Sequence, residues 1–364
     1  MLPIPVNTTS TLLLGAVLAI FFYVAADIMG LFSSKNKFIV DGRTVLLTGG
    51  SQGMGKGLAK LLAQKGANVV IVARNQAKLD ETLEYIKAVA KSPSQRFHAI
   101  SADVTDPDES TRILQETTTW NNNTPPDIVW ANAGSAHPAL FIDTPVSLLR
   151  SQMEINYWGA AYLSHAALNL FLRPSSSSST TTTEPRHIIM TSSVAAFVGL
   201  AGYAPYSPAK AAMRNLADVL RQEVQMYHGA RRGGKPGAPE RDVEIHIVFP
   251  GTILSPGLEQ ENKSKHAVTK VLEEGDAVQT EDEVAAAAIK GLEKGEFMVT
   301  TQWLGAIMRG AMIGGSRRNN LVVDTLIAWL TSIVWLFVRP DLDGKVWGYG
   351  KKNGLTEQSP AGGK

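Results

Sequence analysis

Tyr206 and Lys210 stand four residues apart in the run TSSVAAFVGLAGYAPYSPAKAAMRNLADVL that begins at Thr191. The second half of that run has helical periodicity, so the spacing places a phenol and an ammonium on one face. A free tyrosine has a pKa of about 10 and exchanges its proton reluctantly at neutral pH; a neighbouring cation favours the phenolate and lowers that value. A shift of about 3 units takes roughly 4 kcal/mol of differential interaction, within reach of one close ammonium plus the positive ring of an oxidised nicotinamide. So tuned, Tyr206 is expected to be the general acid toward a ketone that accepts a hydride. A hydroxyl from Ser193 would hold the same carbonyl oxygen and stabilise the developing alkoxide, while Lys210 would also position the nicotinamide ribose. Such a pair arises by chance on many helices and gains meaning only beside a cofactor site.

That site is legible upstream in TGGSQGMGKGLAKLLA, Thr48 to Ala63, a glycine-rich turn between an apolar run and a helical one. Gly49, Gly53 and Gly55, with Ser51 and Gln52 between them, would let the backbone turn tightly and bring amides at a helix N-terminus to a pyrophosphate. The next apolar run ends in Ala73 and Arg74 rather than in a carboxylate. A carboxylate there would hold a ribose 2′-hydroxyl, whereas a guanidinium accepts a 2′-phosphate, so the expected cofactor is NADPH. Lys78 is placed to reach the same phosphate or to be an ordinary solvated lysine. Asp103, after the third run, is placed either to accept from an adenine amino group or to cap the helix that starts at Pro107.

The elements that must hold these groups form a repeating pattern. Short apolar runs alternate with helical periodicity from Asp41 to about Val299: TVLLT at 44, NVVIVA at 68, RFHAIS at 96, DIVWA at 127, HIIMT at 187 and VEIHIVF at 243. Six strands buried on two sides predict an α/β fold, a doubly wound parallel sheet with ligands at the carboxyl ends of its strands. Two low-complexity stretches, Pro174–Pro185 and His228–Arg241, are expected to be solvated loops without chemistry.

Taken together, TGGSQGMG, Asp103, WANAG from Trp130, the asparagine of MEINYWG, Ser193, YSPAK and FPGT from Phe249 resemble the short-chain dehydrogenase/reductase family over about Asp41 to Val299. The resemblance implies a catalytic serine, tyrosine and lysine at Ser193, Tyr206 and Lys210. It also implies that Asn156 completes a proton relay through water. The family's serine lies thirteen residues before its tyrosine, which selects Ser193 over Ser192. By the same resemblance Asn132 shapes the cofactor pocket and the backbone of Ile253 meets the nicotinamide carboxamide. Pro208 departs from the small residues usual between tyrosine and lysine, although the first turn of a helix tolerates proline. Family members commonly form dimers or tetramers through long helices, so the helices carrying Asn156 and Tyr206 are a candidate homo-oligomer surface.

The ends of the chain read differently from its middle. The first charge is Asp27, and TLLLGAVLAIFFYVAADIMGLF from Thr11 is long and apolar enough to cross a bilayer. No Lys or Arg precedes it, which favours an anchor over a cleaved signal. Lys35, Lys37 and Arg43 follow it, which puts the rest of the chain on the cytosolic side. A second apolar segment, Leu321–Val338, is interrupted by Asp324 and would lie in the bilayer, span it with Asp324 at headgroup depth, or pack on its own domain or on a partner subunit. The expected organisation is therefore an anchor over residues 1–40, a catalytic domain over 41–300, a membrane-associated segment over 301–340 and a polar tail over 341–364.

Composition narrows the function classes. With 364 residues, 44% hydrophobic and 19% charged, most of the chain should fold, and a net charge of +2 gives no field for nucleic acid. The absence of cysteine excludes thiolate chemistry and cysteine-held metal, and seven scattered histidines without HExxH spacing predict no metal site. The N-terminal segment, Arg74 with Lys78, GLEKGEFMVTTQ from Gly291 and the apolar C-terminal extension are similar to family members of the endoplasmic reticulum membrane. Those members use NADPH on the cytosolic face to reduce the 3-keto group of a long-chain amino alcohol. A long-chain lipid ketone is thus the expected substrate and the bilayer an expected partner. A retinoid, steroid or fatty acyl ketone is the alternative substrate, and a silent NADPH-binding scaffold is the alternative of another class.

Overall fold

The computed structural model describes residues 35–173 and 184–354; the expected N-terminal anchor, most of the Ser/Thr run and the last ten residues lie outside them. All six expected strands form, as β1 (Thr44–Thr48), β2 (Asn68–Ala73), β3 (Phe97–Ser101), β4 (Ile128–Ala131), β5 (Arg186–Thr191) and β6 (Val243–Phe249). A short parallel pair, β7 (Thr252–Ile253) and β8 (Val278–Gln279), stands apart, and β9 (Met298–Thr300) completes the main sheet. Its order is β3-β2-β1-β4-β5-β6-β9, parallel throughout. The order reverses between β1 and β4, which opens a crevice above their carboxyl ends.

Eleven helices are described: α1 (Gly53–Gln64), α2 (Gln76–Ala88), α3 (Pro107–Trp120), α4 (Val146–Met153), α5 (Gly159–Leu172), α6 (Ser207–Arg232), α7 (Pro256–Ser264), α8 (Ala267–Leu272), α9 (Glu281–Lys294), α10 (Trp303–Met312) and α11 (Leu321–Asn353). Strand residues alternate between two cores, as the period of two requires. Leu46, Val129 and Ile188 pack with Ile113 of α3, Phe171 of α5 and Met213 of α6. Val45, Leu47 and Ile189 pack on the opposite face with Leu58 of α1, Leu79 of α2 and Ile289 of α9. Local caps fix the helix starts: Asn75 accepts from the amide of Lys78, Asp106 from that of Asp108, and Thr280 with Glu283 forms a capping box.

Two stretches differ from expectation. Of the segment 228–241, the first five residues continue α6, because His228 is buried and bridges the backbone N–H and C=O of Val243. Arg231 and Arg232 then both bond Asp242, and Arg241 bonds Asp127, so the stretch ties α6 to the sheet rather than looping free. The C-terminal apolar segment is one helix that continues through Pro340 to Asn353, past the boundary expected at 340. Asp324, expected at headgroup depth if the helix spans, is instead 1% exposed. It accepts from Arg309 of α10 at 2.7 Å and from the amide of Asn319 at 2.7 Å. Asn319 in turn caps the outer edge of the sheet, bonding the amides of Phe297 and Met298 and the carbonyl of Met298. The helix is long and apolar enough to cross a membrane, and only 11% of its most apolar window is buried.

Candidate active site

A cavity of about 1010 Å³ runs from the ends of β1 and β2 to the C-terminal helix. At one end the glycine turn is compressed to the point where side chains do not fit. A Cβ on Gly55 would stand 1.9 Å from the carbonyl oxygen of Gly49, and one on Gly49 would stand 2.8 Å from Cα of Ala133. Gly49 and Gly53 also have φ of +67° and +57°, the left-handed region that glycine enters without strain. Thr48 locks the turn against the strand beside it, its Oγ1 accepting from the amides of Asn132 and Ala133 at 3.0 and 3.2 Å. Ser51, Gln52 and Asn132 line the cavity here.

Arg74, Lys78 and Asp103 gather at the outer rim. Lys78 Nζ donates to the side chain of Gln52 at 2.9 Å, and Arg74 lies 3.9 Å from Asp103. The Arg74 side chain is 74% exposed, so its guanidinium is available to an anion from solvent. Asp103 accepts from the amide and hydroxyl of Thr105 at 3.0 and 2.8 Å. The net effect of its surroundings is to hold its carboxyl below the usual range, the hydrogen bonds from Thr105 outweighing burial. The helix at Pro107 is capped by Asp106, which leaves Asp103 on the cavity wall. Close backbone approach and helix-end amides fit the pyrophosphate of a dinucleotide, with the two cations beside the end of β2.

The reacting groups sit in the middle. Tyr206 precedes the first residue of α6, and Pro208 falls within the first turn, where its missing N–H costs nothing. Lys210 is buried, one turn on, and Nζ donates to the carbonyl of Thr191 at 3.0 Å while lying 5.6 Å from the centroid of the Tyr206 ring. Ser193 caps a short 3-10 turn (Val194–Ala196) after β5 and lines the same cavity as Tyr206, where its hydroxyl favours ionisation of the phenol. The Ser192 hydroxyl donates to the carbonyl of Lys210 at 2.9 Å. Ile253, on β7, is held over the same cavity because the amide of Leu254 bonds Gln279 of β8 at 2.8 Å.

In the cofactor-free protein, burial sets the ionisation of this trio. It pushes Tyr206 above the ordinary tyrosine range, and the Ser193 hydroxyl offsets that only in part. Burial likewise brings Lys210 down to about 7, so without the nicotinamide only part of the ammonium charge expected to lower the phenol is present at neutral pH. The phenol therefore keeps its proton at neutral pH, which is the form an acid for carbonyl reduction requires.

Asn156 is fully buried in a π-helical turn (Glu154–Trp158) between α4 and α5 and does not line the cavity. Its side chain is anchored: Nδ2 donates to the carbonyls of Ser135 and Gln152 at 2.8 and 3.0 Å, and Oδ1 accepts from the amide of Ser135 at 3.1 Å, which leaves one acceptor site on Oδ1. It thus fixes the loop after β4, and a π turn is a common way of releasing backbone carbonyls at functional sites.

The far end of the cavity is apolar. Trp303, Leu304, Ile307 and Met308 of α10 and Val334, Trp335, Val338 and Leu342 of α11 line it. The stretch 252–278, which includes α7 and α8, supplies the roof. Sequence reasoning missed the contribution of α11, since an apolar segment carries no mark of whether it faces lipid or substrate.

The fold and these groups define a dinucleotide-dependent oxidoreductase, and the match of the short chain dehydrogenase family to residues 43–266 places the chain within that family. Relatives reach further along the chain. It is 48% identical over 355 residues to the 3-ketodihydrosphingosine reductase ksrA of Aspergillus fumigatus, covering 97% of this chain and 96% of that protein. It is 44% identical to the 3-ketodihydrosphingosine reductase gsl-3 of Neurospora crassa (90% and 87% covered) and 28% identical to the 3-dehydrosphinganine reductase of Danio rerio (79% of each). Among solved structures, a short chain dehydrogenase/reductase from Burkholderia phymatum in complex with NAD superposes with a TM-score of 0.59 at 18% identity. That match covers 73% of this chain and 90% of that one, a likeness of fold.

Proposed function

We propose that the chain reduces 3-ketodihydrosphingosine to dihydrosphingosine with NADPH, a step of sphingolipid synthesis. The observation that carries the substrate is the 97% coverage of the 48% identical relative, because it extends beyond residue 266, where the family match ends. The shared sequence therefore includes α10 and α11, the walls of the apolar end. An alkyl chain laid along those walls leaves water at about 0.8 kcal/mol per buried CH₂ and brings the keto group to Ser193 and Tyr206.

With its pyrophosphate in the glycine cradle, the bound dinucleotide would supply a hydride from its reduced nicotinamide. Ser193 then holds the carbonyl oxygen, and Tyr206 delivers its proton to the oxygen as negative charge develops there. Lys210 orients the nicotinamide ribose and restores charge beside the phenol. Asn156 holds the loop that carries Ser135 and completes a relay through which Tyr206 regains its proton from water. Gly49, Ser51, Gln52, Gly53 and Gly55 hold the pyrophosphate, Asp103 the adenine, and Asn132 and Ile253 the nicotinamide side. Arg74 and Lys78 hold the 2′-phosphate. The catalytic domain would face the cytosol at the endoplasmic reticulum membrane, attached by its N-terminal segment and the outer face of α11.

The direct test incubates the membrane-bound chain with 3-ketodihydrosphingosine and either NADPH or NADH. NADPH should be consumed, and Arg74→Asp should shift the NADPH-to-NADH ratio of kcat/KM by at least about tenfold toward NADH. An unchanged ratio refutes the cofactor assignment, and no consumption of either nucleotide refutes the substrate.

A further inference from the structure

The cavity holds a second group of charged side chains that the reduction described above does not use. Tyr203, whose ring centroid is 6.1 Å from that of Tyr206, puts its hydroxyl in hydrogen-bonding contact with Glu261 of α7 and with Glu273, which follows α8. Lys265 bonds the same two carboxylates, Glu261 at 3.1 Å and Glu273 at 2.6 Å, through a side chain only 3% exposed. Tyr203, Glu261 and Glu273 line the cavity, whereas Lys265 does not. Two carboxylates on the cavity wall thus share one ammonium sealed behind them. Both contacts of Glu261 run to Oε1, so Oε2 keeps its acceptor capacity. Asp276, on the same wall, adds a third acid, and the rim cations Arg74 and Lys78 belong to the dinucleotide end.

Excess negative charge in a partly desolvated wall is costly unless a cation arrives from the open side. Glu261 also lies close enough to Tyr206 for its charge to oppose ionisation of the phenol. Tyr203, which touches both acids, has its ring centroid 6.1 Å from that of Tyr206, so a cation held by the acids would share the cavity with the reacting carbonyl. An amine on the carbon next to the keto group would be presented to this wall once that carbonyl rests on Ser193 and Tyr206.

Building on the reductase reading, we propose that Glu261 and Glu273, positioned by Tyr203, receive the ammonium of the amino ketone and so select a 2-amino-3-ketone over a plain lipid ketone. The test compares 3-ketodihydrosphingosine with the ketone of equal length lacking the amine, using the full chain in mixed micelles with NADPH. The amino-to-deamino ratio of kcat/KM should fall at least about tenfold in Glu261→Gln and in Glu273→Gln, mainly through KM, and by less in Tyr203→Phe. NADPH titration of each variant separates this from misfolding. A wild-type ratio near one, or a ratio that survives the substitutions even as both turnovers drop, overturns the proposal. If the wild-type chain reduces neither ketone, the reductase reading fails alone, and binding decides the amine site. Dihydrosphingosine should then quench tryptophan fluorescence at least about tenfold more tightly than its deamino alcohol in the wild-type chain, and not in Glu261→Gln; equal affinities refute it.

Discussion

Tyr206 and Lys210 both serve turnover, but the buried Lys210 does so at a cost to the stability of the fold. Tyr206→Phe removes only the transferable proton, and kcat should fall by about 10²–10⁴ with the fold intact, as stopped assays on the purified variant would show. Lys210 is held down to about 7, well below an ordinary lysine. Between that value and about 10.5 the unfolded chain carries a proton that the folded chain lacks, so stability of the cofactor-free protein rises with pH across this window. Below it, the cost of burying the ammonium is felt in full. Lys210→Met should abolish turnover, flatten that rise and stabilise the protein near neutrality by on the order of 2 kcal/mol; thermal melts at pH 7 and 9 check it. The identities of these residues were legible because phenol, ammonium and hydroxyl occur at fixed spacings. Their ionisation was not, because desolvation depends on which distant segments close over them.

At the scale of elements, the six strands were legible because each is a continuous apolar run closed by a turn. β9 escaped because three residues of GEFMVTT carry too little pattern to separate a strand from a loop. The continuation of α6 into 228–232 was hidden by composition: glycine and arginine read as solvated, yet His228 and two arginines find partners on β6 and its approach. The Arg309–Asp324 pair is the joint between α10 and α11, and Arg309 Nη1 also bonds the carbonyl of Met298 at 2.8 Å. Asp324→Asn leaves a buried guanidinium without its counterion and should cost about 3–5 kcal/mol. Thermal melts, with proteolysis between residues 313 and 320 as a local readout, would show it; a loss under about 1 kcal/mol would mean that α11 is held by apolar packing alone.

Across the whole molecule, the Rossmann-like α/β domain was readable from periodicity, whereas the role of the C-terminal helix was not. Hydropathy reports that α11 avoids water but not what it touches. Its inner face closes the cavity, while Trp329, Leu330, Leu336 and Phe337 on its outer surface are between 63% and 73% exposed. Exposed apolar surface of that kind on a folded domain marks a partner or lipid contact.

The cavity therefore has two unlike ends, a wet one flanked by Arg74 and a greasy one walled by Trp335. Reactants arriving from separate phases need not queue, and competition between them has no structural basis. A tail-mimicking inhibitor wedged beside Val338 should retain its potency when NADPH is raised from limiting to saturating levels, a result that initial-rate plots would display as non-competitive.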